Sequence, residues 1–196
     1  VRDANTLLQT LSRDFRELED LYKLVSGQVG ARLSFERFVQ AYHFEGVLEQ
    51  ATIRLLEIGK GRYEMRRSSE GRTGKKSENS GLEVNILDHH DGSERVAGTL
   101  SGGETFLAAL SLALGLADVV TSQGGAHLDS VFIDEGFGSL EPENIEDALR
   151  TLTRMGEAGR LVGLISHVPM LGEKLDVQLK LTKHGDGTTT TQWQVP

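Results

Sequence analysis

From residue 103 onward the sequence alternates between helical and strand patterning, and this alternation restricts the fold more than any other feature. Residues 103–121 are apolar over a helical length, 130–134 form a short apolar run, 142–155 have helical periodicity, and 161–165 are a second short apolar run. Two parallel strands need a crossover between them, so this order predicts an α/β fold with a largely parallel sheet. Short strands at 177–181 and 189–193 are predicted to follow, and no internal repeat is visible.

The first 25 residues are of another kind. Val1, Leu8, Phe15 and Tyr22 fall seven apart, as do Ala4, Leu11, Leu18 and Val25, with charged residues between them. This is an a/d heptad seam, read here as a coiled coil against the alternative of an ordinary amphipathic helix packed on the domain. The seam is in register at residue 1, which predicts that the coil extends before it. Ser26-Gly27-Gln28-Val29-Gly30 breaks the helix. A second helix is predicted from the N-cap Ser34, ending at Gly59 and Gly61. Residues 62–67 and the alternating run 82–88 read as the strands of a hairpin, the second half-buried. Between them, 68–81 is polar, glycine- and serine-containing, and reads as a long flexible connection.

Composition closes off several classes. The 196 residues are 38% hydrophobic, enough for a sizeable core, and contain no cysteine, which excludes disulfides and cysteine-ligated metals. Residues 1–5 lack the apolar segment of a secretory leader, and the longest uncharged run, between Glu104 and Asp118, is shorter than the ~20 residues of a membrane helix. A soluble protein is expected. The formal charge of −8 leaves nucleic-acid contact to a local patch. One candidate is 54–76, with eight Arg or Lys residues against three Glu, but a solvated hairpin with a mobile tip is the preferred reading over a DNA site.

Three clusters carry chemistry. In Leu100-Ser101-Gly102-Gly103-Glu104, two glycines behind a serine open a long apolar helix. Unpaired amides at the positive end of that helix, with a serine hydroxyl beside them, make a phosphate receptor. Because Phe106, Leu107, Leu110, Leu112, Leu114, Leu116 and Val119 go all round the helix, it is expected to be buried on every side. Val131-Phe132-Ile133-Asp134-Glu135 is an apolar run ending in two acids, placed at the carboxyl end of a buried strand, where α/β sheets bind ligands. Asp134 suits Mg2+ through water and Glu135 suits a general base, with Gly136-Phe137-Gly138 as the tight turn behind them. Ser166-His167 follows the next apolar strand, so the imidazole of His167 can reach the same crevice. His89-His90-Asp91 suggests a metal trio, but adjacent residues at a strand end point apart, and a polar turn accounts for it.

In chain order, residues 100–104, then Asp134-Glu135, then Gly138-Ser139-Leu140-Glu141, then Ser166-His167 resemble the signature motif, Walker B, D-loop and H-loop of ABC ATPases. The stretches 106–118 and 132–140, with Ser34-Phe35-Glu36-Arg37-Phe38-Val39 and Gly61-Arg62-Tyr63, resemble the SbcC family of exonuclease-associated ATPases. The resemblance implies the carboxy-terminal lobe of an ABC-type ATPase head, P-loop NTPase-like, at 31–196, with the end of a returning coiled coil at 1–30. It implies that Ser101, Gly102, Gly103 and Glu104 meet ATP held on an opposing head, that Asp134 serves Mg2+, that Glu135 orients the hydrolytic water, and that His167 senses the γ-phosphate. Ser139 and Glu141 would line the head–head interface. Family D-loops carry Asp where this chain has Glu141, which can instead belong to the start of the next helix, with Pro142 at its first position.

The G-x-x-x-x-G-K-[ST] of a phosphate-cradling loop is missing. Gly71-Arg72-Thr73-Gly74-Lys75-Lys76-Ser77 has the wrong spacing and lies in a polar loop. The resemblance explains the gap, because in that family a long coiled coil separates the amino-terminal lobe, which carries the P-loop, from this one. The partners it implies are that lobe, a second head closing on ATP, an SbcD-type nuclease at the base of the coil, and DNA in the complex, with no membrane. The implied setting is cytoplasmic and nucleoid-associated. An SMC-type chromosome-organising head is the alternative, disfavoured by Glu135-Gly136-Phe137-Gly138; a transporter subunit is disfavoured by the heptad.

Overall fold

The computed structural model describes residues 2–29, 34–68, 82–124 and 128–196, and for 2–10 the backbone alone. The rejected glycine–lysine segment at 71–77, nearly all of the polar connection, and Arg72, Lys75 and Lys76 of the basic patch therefore lie outside the described residues. The chain forms two compact units, Val1–His127 and Leu128–Pro196.

The first unit opens with helix α1, Arg2–Val25, which ends where Gly27 takes a left-handed φ of 71°. The seam residues Leu11, Phe15, Leu18, Tyr22 and Val25 are all exposed along it. Helix α2, Phe35–Ile58, starts at Ser34, whose hydroxyl oxygen accepts the Arg37 amide at 3.3 Å, and stops at Gly59. It buries Val47, Leu48, Ala51, Leu55 and Ile58 in its second half, while Phe35, Phe38 and Tyr42 in its first half are exposed.

Strands β1 (Tyr63–Arg67), β2 (Val84–Asp88) and β3 (Glu94–Val96) form an antiparallel sheet in that order. The register sets Tyr63 opposite Asp88 and aligns Met65, Ile86 and Arg95 in a row, so these five share one face. Thr52 of α2 fixes β1 against the helix: its hydroxyl accepts the Met65 amide at 3.0 Å and donates to the Met65 carbonyl at 3.2 Å. β3 was not foreseen, since three residues, two of them charged, show no period.

Helix α3, Gly102–Ser122, packs along α2. The helices approach closely at Gly115, where a β-carbon would lie 2.5 Å from the Ala51 nitrogen. α3 is not buried all round as expected. Leu107, Leu110, Leu114 and Ala117 are buried, but Leu116 on the other side is 50% exposed, because α2 covers only one face. By length and composition α3 could also cross a membrane, contrary to the run-length argument. Its packing on α2 and the 2.9 Å ion pair of Asp118 with Arg54 make it a core helix.

In the second unit, β4 (Ser130–Asp134) and β5 (Leu161–Ile165) run parallel, residue for residue, with helix α4, Pro142–Glu157, as the crossover. Ile145, Ala148, Leu149, Leu152 and Met155 of α4 form the core with Phe137, Leu140 and Leu171. β4 was expected to be buried, yet Phe132 is 68% exposed, as β4 pairs with one strand only. Helix α5 (Pro169–Lys174) leads to an antiparallel hairpin of β6 (Gln178–Lys183) and β7 (Thr189–Gln194). Among the described residues parallel pairing is thus confined to β4–β5, where a largely parallel sheet was expected. Strands β2 and β3, and β6 and β7, are joined by turns of a few residues, too short for a crossover, which impose antiparallel order.

Candidate functional site

Ser101 is the N-cap of α3, and its hydroxyl oxygen accepts the Glu104 amide at 3.3 Å. The Glu104 carboxylate reaches back through Oε2 to the Ser101 amide at 2.9 Å, closing a capping box. This consumes the amides of Ser101 and Glu104, and the Thr105 amide bonds to the Ser101 carbonyl. The amides of Gly102 and Gly103 have no partner among the described residues. Ser101 is exposed, and a hydroxyl that accepts one bond keeps its own proton to donate. Two free amides and a hydroxyl at the positive end of a 21-residue helix can receive one anionic group.

Glu104 faces the other way. Its Oε1 accepts the Tyr63 hydroxyl at 2.6 Å and Arg95 Nη2 at 3.0 Å. Burial works to raise its pKa, but the bonds from Tyr63, Ser101 and Arg95 outweigh it and hold the carboxyl down at about 2. Burial, and then the bond to this carboxylate, push the Tyr63 phenol up to about 12. The Arg62 guanidinium lies 4.7 Å over the Tyr63 ring and binds Asp88 at 2.7 Å. That guanidinium, against the burial that opposes it and with help from the His90 amide, keeps Asp88 at about 2. The Glu104 carboxylate is thus engaged by Tyr63, Arg95 and the Ser101 amide within the unit. Tyr63 and Arg95, which bond Glu104, were not singled out from the sequence because nothing in β3 reads as a strand; in β1, the alternation of Tyr63 with Met65 was the available signal.

In the second unit, Asp134 ends β4 and Glu135 follows with a φ of 61°, then Gly136 with 96°. A left-handed glutamate is uncommon and marks a constrained backbone. Its amide remains tied to the Ile165 carbonyl at 2.9 Å, while the turn carries its carboxylate to His167, whose Nδ1 lies 2.9 Å from Oε2. The two side chains are brought together because β4 and β5 are parallel and in register, so that both strands release their chains at the same end. Both side chains are well exposed, and so is Asp134. Asp134 has no bonded partner among the described residues, and no group of three or more His, Cys, Asp or Glu there could hold a metal ion. One open carboxylate fits Mg2+ whose remaining ligands are water and phosphate oxygens; a cage made by this chain does not exist among the described residues.

Ser139 sits in the 3-10 turn Phe137–Ser139, anchored by buried Phe137, and its hydroxyl donates to the Gly136 carbonyl at 2.8 Å. Gly138 is beside the His167 ring, 3.9 Å from where a β-carbon would be. Glu141 is exposed and caps α4 by position only, without a side-chain bond, with Pro142 following in the first turn. In the basic patch Arg54, Arg62, Arg66 and Arg67 are paired with Asp118, Asp88, Glu64 and Glu45. His89 pairs with Glu64 at 3.0 Å.

The family described as SbcC/RAD50-like, Walker B motif, matches residues 77–154. The SbcC component of the SbcCD nuclease from Vibrio cholerae serotype O1 is 42% identical over 182 residues, 92% of this chain and 18% of that protein. Its counterpart from Staphylococcus haemolyticus is 39% identical over 185 residues, 94% and 18%. The chain thus spans 18% of the length of these relatives. Among solved structures, one from work on ATP-driven dimerization and DNA-stimulated activation of SMC ATPases superposes with a TM-score of 0.60 at 14% identity, over 80% of this chain and 88% of that one. The SMC head domain of Thermotoga maritima gives 0.51 at 19%, over 80% and 50%. At such identities the likeness is one of fold. The chain is a segment of the SbcC/RAD50-like family that carries its Walker B region, on the α/β fold of an SMC-type ATPase head.

Proposed function

We propose that this chain is the carboxy-terminal half of an ATP-hydrolysing head in a nuclease complex that processes DNA breaks and hairpins. The head closes on a second head to regulate an SbcD-type nuclease subunit. The observation that carries the reading is the convergence of Asp134, Glu135 and His167 at one end of the parallel β4–β5 pair, with Glu135 and His167 2.9 Å apart. An ATP complexed with Mg2+ supplies the phosphoryl group to be transferred to water. Asp134 would hold Mg2+ through water, Glu135 accepts a proton from the attacking water, and His167 turns Nδ1 to the Glu135 carboxylate and its other ring nitrogen to phosphate oxygen. Ser101 and the free amides of Gly102 and Gly103 receive the γ-phosphate of a nucleotide held by the opposing head. Ser139 and Glu141 lie along the surface where the heads meet.

The amino-terminal lobe with its P-loop is the partner that completes each head. Residues 1–30 end the returning coiled coil and 31–196 form the lobe, a division supported by the exposed seam of α1, which suits a second helix. The nuclease docks at the base of this coil, DNA is bound by the complex, and the setting is cytoplasmic and nucleoid-associated. The nuclease reading is preferred to the SMC reading because the relatives at 42% and 39% identity are nuclease components, whereas the SMC likeness is one of fold. In the full-length protein, Glu135→Gln keeps ATP-driven head association and lowers turnover by roughly 10²–10⁴-fold. Hydrolysis at the wild-type rate would remove Glu135 from the mechanism.

A further inference from the structure

We propose that Tyr63 and Arg95 are positioning residues for the signature motif, setting the direction of its phosphate-receiving amides through the Glu104 carboxylate. The proposal rests on the trans-site reading of Ser101, Gly102 and Gly103 given above. An ordinary capping box needs one bond from its glutamate, to the N-cap amide. Here the same carboxylate takes two further bonds, from Tyr63 at 2.6 Å and from Arg95 at 3.0 Å, both on Oε1, while Oε2 holds the Ser101 amide. The two donors come from different strands, β1 and β3, but from one face of the sheet, as the pairing of Tyr63 with Asp88 and the Met65, Ile86, Arg95 row require. Tyr63 is itself held: its ring is buried, and Arg62, anchored to buried Asp88, lies over it. The path from sheet to site is therefore short and made of charge-assisted bonds, which are strong and directional.

The receptor it controls is small. Gly102 and Gly103 have no side chains to steer an anion, so their use depends on where the first turn of α3 points. A capping box alone ties that turn to itself. Tyr63 and Arg95 tie it to the sheet. Loss of either leaves the helix and its cap intact but lets the first turn shift relative to the unit that carries it, and a displaced receptor costs the closed state far more than the open one.

The test uses the full-length protein with Tyr63→Phe, which keeps the ring packing, and Arg95→Ala beside Arg95→Lys. Three quantities are read: the affinity of the monomer for ATP, the protein concentration at which ATP drives association of heads, and kcat. The expected result is unchanged ATP affinity, an association midpoint raised about tenfold by Tyr63→Phe and by Arg95→Ala, and a lower kcat, with Arg95→Lys recovering part of the loss. Tyr63→Phe in a Glu104→Gln background should add little, since both act through one carboxylate. Wild-type association and kcat in Tyr63→Phe and in Arg95→Ala, while Ser101→Arg abolishes association, would overturn this proposal alone. Wild-type association in Ser101→Arg would overturn the trans-site reading beneath it. A loss in Tyr63→Phe matched by an equal loss of thermal stability and of monomer ATP affinity would reduce Tyr63 to a fold-stabilising residue and also overturn the proposal.

Discussion

Glu104, Asp88 and Tyr63 give the first unit a pH dependence whose direction can be worked out. The two carboxyls have folded pKa values of about 2, below their ordinary 4.5 and 3.8. Their contribution is complete above about pH 5 and is lost as the pH falls towards 2, because only the unfolded chain takes up protons in that range. Tyr63 is shifted the opposite way, from 10.0 up to about 12, so its contribution is complete below pH 10 and lost as the pH rises through 12. Urea midpoints measured across both ranges should fall at each end. In Tyr63→Phe the alkaline fall should shrink relative to wild type, and the acid fall should shrink as well, because Glu104 loses its shortest bond. Unchanged limbs would show that the Tyr63–Glu104 bond is not formed in solution. In the second unit, the left-handed backbone of Glu135 sets the direction of its carboxylate, a property of φ that no residue pattern announces.

Packing between helices α2 and α3 makes a contrast between glycines. A β-carbon at Gly115 would sit 2.5 Å from the Ala51 nitrogen and 2.8 Å from its Cα, both backbone atoms that cannot swing away. Gly115→Ala should destabilise the protein by about 1–3 kcal/mol by forcing the helices apart. Gly46, within α2, has nothing within 4 Å of its β-carbon position, so Gly46→Ala should stabilise by about 0.5–1 kcal/mol. Chemical denaturation of the two variants checks both signs. Much at this scale was legible beforehand: the start of α2 at Ser34, its stop at Gly59, the start of α4 at Pro142, and the bounds of β4 and β5 all follow from caps, breakers and apolar runs. The degree of burial was not. The apolar sequence of α3 reads as buried on all sides, yet which side is covered depends on where α2 lies. β3 escaped because its pairing with β2, not its own three residues, makes it a strand.

For the whole molecule, the exposed apolar surface bears on how the chain behaves alone. Parallel strands are ordinarily covered on both faces, but Phe132, Leu161 and Ile165 of β4 and β5 are exposed. So are Leu179, Leu181 and Trp193, which the β6–β7 register places on one face of a hairpin too small to be stable by itself. On the reading proposed here, the amino-terminal lobe covers such surface. The isolated chain should self-associate in light scattering and show no ATP turnover, and co-expression with the amino-terminal lobe should restore a soluble, active head. Turnover by the isolated chain would refute the half-site reading.

The residues alone determined the order of chemistry along the chain: Ser101 to Glu104 at a helix start, Asp134 and Glu135 at a strand end, and His167 after the next strand. Caps, glycines and apolar runs are local, and local physics is written in consecutive residues. The tertiary structure decided which atoms of those residues are free. It turned Glu104 inward onto Tyr63 and Arg95, left the Gly102 and Gly103 amides open, and brought His167 to Glu135. Those pairings join residues 41, 9 and 32 positions apart, and only strand register and the curvature of the chain bring such groups within a hydrogen bond of each other.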